Sequence, residues 1–265
     1  MARTGFIARE RTAARPFVPD AIQQQILALD PRFSATVLGA PGTGKSTVLI
    51  ELVAARVKAG TLPDNIAVLS PNRVSAGHLR NALGLRLGVA TNGALARTPG
   101  SLAFAIAQEH ALATGQLPPR MLTGSEQDSI ITELLRGHIE DGTGPVWPDP
   151  LVPEVRTRRA FRSELRDLFA RSTEMGWGPA ELRAQGERRE HPEWVAAADF
   201  WHEYRDVVAG FRTESFDASE ILAIGANALA DPNVLPDIQL VLVDDAQELT
   251  QGAVRMLNAF ATRGV

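Results

Sequence analysis

Two short segments, far apart in the chain, limit what it can fold into more than any other feature. Gly39-Ala40-Pro41-Gly42-Thr43-Gly44-Lys45-Ser46 follows the apolar run Ala35-Thr36-Val37-Leu38, and Val241-Leu242-Val243 runs into Asp244-Asp245-Ala246-Gln247. The first fits the pattern G-x-x-x-x-G-K-[ST], with a buried strand expected before it and a helix, Ser46 to Ala59, after it. Glycines let backbone N–H groups turn toward a polyphosphate, and the new helix points its positive end at the same charge. Gly39, Ala40, Pro41, Gly42, Thr43 and Gly44 therefore read as a phosphate cradle. Lys45 is placed to reach the β- and γ-phosphates and Ser46 to ligate Mg²⁺. The cofactors expected are a nucleoside triphosphate and Mg²⁺.

Of 27 basic residues only Lys45 and Lys58 are lysines. A chain that otherwise uses arginine has a lysine in the phosphate loop, where a compact point charge fits and a planar guanidinium is too bulky.

A length of 265 residues allows one large domain or two small ones. No run of about 18 apolar residues occurs, so no helical membrane span is expected. Met1 to Arg15 carries arginines without an apolar core, so it reads as a frayed leader and not as a secretory signal. The lack of cysteine removes disulfides and thiolate metal sites and fits a cytoplasmic protein. A net charge of −4 argues against a basic nucleic-acid coat but allows a local groove, because binding follows the local field.

Three strand–loop–helix units are legible: the phosphate-loop unit, Asn65 to Leu69 with a helix from Ser75 to Leu85, and Ile238 to Val243 with a helix from Gln251 to Ala261. Each strand is short and apolar, reads as buried on both faces, and ends in polar residues, as in an open parallel α/β sheet. Between them lie helical patterns at Glu126 to Gly137, Val155 to Glu174 and Pro192 to Ala209, with a Gly/Pro-rich loop from Asp141 to Pro150. The reading is a motor domain of residues 1–110 and 214–265 interrupted by an all-helical insertion of residues 111–213.

The second segment ends a strand in two carboxylates. Asp244 is placed to hold Mg²⁺, Asp245 to orient or deprotonate water, and Gln247 to sense the γ-phosphate. With Lys45 these form the expected catalytic set.

The order of motifs resembles the UvrD/Rep/PcrA-type helicases of superfamily 1 over nearly the whole chain. The Gln23-Gln24-Gln25 cluster falls where that family has an adenine-reading glutamine, with Gln23 preferred and Gln24 next. Ser70-Pro71-Asn72-Arg73 falls at the family's first DNA-contacting motif and Arg97-Thr98-Pro99-Gly100-Ser101 at the next. The resemblance implies a RecA-like parallel sheet, ATP with Mg²⁺ as cofactors, Thr47 against phosphate nearer the adenosine, a single-stranded DNA partner, and backbone contacts from Ser70, Asn72, Arg73, Thr98 and Ser101.

Three positions depart from the family. Asp245 replaces a glutamate one methylene longer, a shift of about 1 Å that costs roughly 10²-fold in rate if uncompensated. Pro71 replaces an aromatic and Gly100 a histidine. With the arginine-rich composition and Phe17-Val18-Pro19-Asp20, these departures resemble the AdnA-type subunit of the actinobacterial helicase–nuclease most, which implies a second subunit as partner and a role in DNA repair or recombination. The family's remaining motifs lie beyond Val265, including arginines from a second RecA-like domain. The chain is therefore expected to be a fragment that binds nucleotide better than it hydrolyses it. A catalytically weak structural subunit and another phosphate-loop enzyme, such as a small-molecule kinase, are the alternatives.

Arg156, Arg158, Arg159, Arg162 and Arg166 read as a solvated helix face, and Trp147, Trp177, Trp194 and Trp201 as core or domain contacts.

Overall fold

The computed structural model describes residues 17–88, 95–211 and 214–265, so the leader expected over Met1 to Arg15 lies outside them. The centre of the fold is β1 (Ile66–Leu69), all four of whose residues are buried. Side chains alternate across a strand. Ile66 and Val68 accordingly enter one cluster, with Val53 of α2 (Lys45–Lys58) and Leu79 and Leu83 of α3 (Arg73–Leu87). Ala67 and Leu69 enter another, against α4 (Pro99–Ala113), α10 (Ala218–Ala228) and α11 (Gln251–Thr262), where Ile106, Ile221, Met256 and Phe260 are buried. Covered on both faces, β1 pairs in parallel with β2 (Ala96–Arg97) on one edge and β5 (Leu240–Val243) on the other. The short α1 (Ala21–Leu27) is tied to α2 by Arg56, whose guanidinium donates to the Leu29 carbonyl. The molecule is α/β with a RecA-like parallel sheet.

A third cluster belongs to the helices between β3 (Arg120–Met121) and β4 (Ser215–Phe216), two strands that pair in parallel where the chain enters and leaves this lobe. α5 (Gly124–Asp141), the single turn α6 (Pro153–Arg156), α7 (Arg159–Glu174), α8 (Pro179–Arg188) and α9 (Pro192–Ala209) make up the lobe. Phe200 is fully buried, and Phe169 stacks on Trp201 with ring centroids 4.9 Å apart. Each such side chain contributes about 1.5–3 kcal/mol by leaving water.

Several expectations need correction. Ala35 to Leu38 is not a buried strand: it makes no ladder, and Leu38 is 89% exposed. Strand burial depends on what lies alongside, and among the described residues β5 pairs on one edge only, with β1. For the same reason β5 is half-buried where β1 is enclosed. The pattern from Val155 to Glu174 is two helices, broken at Thr157 and Arg158. The arginines there are a solvated face only in part: Arg158 and Arg159 are exposed, whereas Arg162 and Arg166 are spent on α5. Arg162 donates to both Asp128 oxygens at 2.9 and 3.1 Å and Arg166 to the Gly124 carbonyl, stitching α7 to α5. The Arg162 guanidinium holds the Asp128 carboxyl below its usual range.

Candidate functional site

The phosphate-loop segment is shaped by its glycines. Gly42 and Gly44 sit at φ of 80° and 85°, in the left-handed region open to residues without a Cβ. A Cβ at Gly39 would stand 2.8 Å from Thr43 Oγ1, which donates to the Ala40 carbonyl. Pro41 completes this exposed turn. α2 then begins on Gly44 with no side-chain cap, whereas α3, α4, α5, α10 and α11 are capped by Asn72, Thr98, Thr123, Asp217 and Thr250. The first-turn N–H groups of α2 are thus left without a side-chain acceptor, as they are in α6 to α9, but here they follow a glycine turn and sit with Lys45, an arrangement suited to an anion.

Lys45 Nζ donates to the Gly39 and Ala40 carbonyls at 2.8 and 3.0 Å, so its charge folds over the loop. Ser46 Oγ donates to Asp244 Oδ2 at 2.7 Å, across 198 positions of sequence. Asp244 is 8% exposed, and its N–H continues the β5–β1 ladder by donating to the Leu69 carbonyl. A hydroxyl and one carboxylate, joined by phosphate oxygens of a nucleotide, would make an oxygen set of the kind Mg²⁺ takes. Thr47 is exposed on the first turn of α2.

Asp245 has φ 50° and ψ 45°, a left-handed conformation that costs about 1–3 kcal/mol outside glycine and is typical of functional sites. Gln247 Nε2 donates to Asp245 Oδ1 at 3.3 Å. Of the two glutamines weighed for adenine, Gln23 turns to the loop and Gln24 away. Gln23 Nε2 donates to the Thr43 carbonyl at 3.4 Å, while Gln24 Nε2 donates to the Pro19 carbonyl.

A match to the UvrD/REP helicase N-terminal domain spans residues 20–264. The chain belongs to that family. No curated protein matches it. The UvrD/REP helicases are ATP-dependent DNA helicases, and the two loops at the carboxyl ends of β1 and β2 are where family resemblance implied DNA.

These loops share a groove of about 550 Å³, in which Arg73, Thr98 and Ser101 lie together. Asn72 is beside it at the start of α3 and Thr98 at the start of α4. Each spends its side-chain oxygen as a cap, on the N–H of Ser75 and of Ser101. Ser70 does not belong there. It is fully buried, with its N–H on the Arg97 carbonyl, so its hydroxyl faces protein and not a groove. The residue directly follows β1, and a polar side chain just past a strand end need not point outward. Two groove residues were missed from sequence. Arg80 lies two turns along α3 from Arg73 and donates to the Ala96 carbonyl through Nε and Nη2, at 3.3 and 3.0 Å. Phe104 follows Gly100 and Ser101 by one turn of α4. Thr98-Pro99 is a cap followed by a proline at the first helical position, a start signal that makes this spacing readable.

Proposed function

We propose that this chain is the nucleotide- and DNA-binding first motor domain of an ATP-dependent DNA translocase. The single observation that carries the reading is the Ser46–Asp244 hydrogen bond beside Lys45, which joins the phosphate loop to the acidic end of β5. Gly39 through Gly44 and Lys45 cradle phosphate, Ser46 and Asp244 hold Mg²⁺, Thr47 meets phosphate nearer the adenosine, and Gln23 reads adenine. Bound Mg²⁺ neutralises phosphate charge. Asp245 orients the attacking water, and Gln247, already on its carboxylate, links that position to the γ-phosphate. Arg73, Thr98 and Ser101 contact the DNA backbone from the groove, with Asn72 at its rim.

Residues 1–110 and 214–265 form the motor domain, and residues 111–213 the helical insertion, whose separate aromatic cluster supports the division. Turnover depends on arginines from a second motor domain, so the chain by itself hydrolyses ATP negligibly. The arginine-rich composition and the departures at Pro71, Gly100 and Asp245 favour the AdnA-type subunit of a helicase–nuclease, acting in the cytoplasm with a second subunit in DNA repair or recombination. A second reading, a structural subunit that binds ATP and DNA but turns over slowly, is favoured by Asp245, whose short carboxylate is already held by Gln247.

Calorimetry with Mg·ADP tests the reading. Binding is expected for the wild type and lost in Lys45→Ala; equal responses from the two overturn it.

A further inference from the structure

The groove between α3 and α4 holds an aromatic ring where neither DNA-motif segment supplies one. Phe104 is half-buried: it packs against the motor core cluster and also lines the groove. Small residues line part of the groove with it: Ala76 on α3, Ala218 at the start of α10, and Gly100, where a Cβ would meet nothing within 4 Å. They leave open volume in the groove, a slot that a flat group could enter. Cationic side chains frame it. Arg73, Ala76 and Arg80 fall on one face of α3, and Arg80 is fixed by its double donation to Ala96. Met121 of β3 closes the far side with a polarizable side chain, so the slot spans the motor domain and the neck of the helical lobe.

We propose that Phe104 is the platform on which a base of single-stranded DNA stacks in this groove, taking over the role left open by Pro71 and Gly100, with Arg73 and Arg80 on the flanking phosphates. The inference rests on the DNA-binding reading given above. Stacking on one ring is sequence-tolerant, because every base has a π-face, and its loss lowers affinity by about 5- to 150-fold.

The test compares fluorescein-labelled oligothymidylate with an abasic deoxyribose-phosphate oligomer of equal length, read by fluorescence anisotropy at one salt concentration. The wild type is expected to prefer oligothymidylate. Phe104→Ala and Phe104→Leu should both lose that preference while binding the abasic oligomer unchanged. The leucine variant keeps apolar volume in the motor core, so a common loss reports the ring and not the fold. Phe104→Trp should retain the preference, and Arg73→Ala should weaken both oligomers alike. If both Phe104 variants keep the wild-type preference, or weaken both oligomers equally, the platform assignment is wrong while the DNA reading stands. If the wild type binds neither oligomer, the DNA reading fails and the platform with it.

Discussion

Replacing Asp244 with alanine separates the structural role of the Ser46–Asp244 contact from its role toward a metal–nucleotide complex. The carboxylate is 8% exposed and accepts one hydroxyl at 2.7 Å. Hydrogen bonds to charged groups contribute about 1.5–3 kcal/mol, but Ser46 is exposed and regains water as a partner, leaving a net loss of about 1 kcal/mol. The unfolding entropy of a chain of 265 residues is roughly 0.55 kcal/mol per kelvin, so Tm falls by about 2 °C. The ligand-linked effect is larger. Nucleotide at about 100 times its Kd stabilises the native state by about 2.7 kcal/mol, or about 5 °C. Differential scanning fluorimetry with ADP, with and without Mg²⁺, reads both. In the wild type most of the 5 °C rise (as estimated above) should need Mg²⁺. In Asp244→Ala the shift should be smaller and indifferent to Mg²⁺, while Lys58→Ala, at the far end of α2, behaves as wild type. A full Mg²⁺-dependent rise in Asp244→Ala would refute the assignment of this carboxylate.

Two further predictions concern stability. Burial, reinforced by the Asp217 charge, pushes the Glu220 carboxyl up to about 7, while its Oε2 caps α10 by accepting the Asp217 N–H at 2.9 Å. A raised carboxyl favours folding fully below its unfolded value of about 4.3, and that contribution disappears as pH rises toward 7. Glu220→Gln keeps the cap and should flatten the decline between those pH values in urea unfolding; an unchanged slope would count against it. Phe200→Ala should cost about 3–5 kcal/mol, because the ring is fully buried among Phe169, Trp147 and His138. Circular dichroism melts showing a loss under about 1 kcal/mol would remove it from the centre of the helical lobe.

What the sequence disclosed depended on how local the determining physics is. β1 was legible because both of its faces are apolar and both are covered, so four consecutive hydrophobic residues suffice. The carboxylates after β5 and the glycines before α2 were legible because strand ends and positive φ leave a residue signature. Ala35 to Leu38 carries the same apolar signature as β1, yet its burial requires a neighbour contributed from elsewhere. Ser70 failed for a related reason: one position past a strand, polarity does not say whether a side chain points in or out. The link from Arg162 to Asp128 is invisible in one dimension, since its partners lie on different helices, and an arginine run on α7 looks like any wet surface. Phe104 was recoverable in principle, since reading Thr98-Pro99 as a helix start places it one turn from Gly100.

Among the described residues β5 has one unpaired edge, and this bears on how the protein behaves at concentration. A strand that pairs on one side presents a row of unspent donors and acceptors on the other, and such a row templates pairing with any extended segment that reaches it. Ala35 to Leu38 is exposed, apolar and without a ladder, so the same chain also carries a segment able to add to such an edge. Covering that edge, from within the chain or from a second copy, therefore bears on solubility alongside net charge.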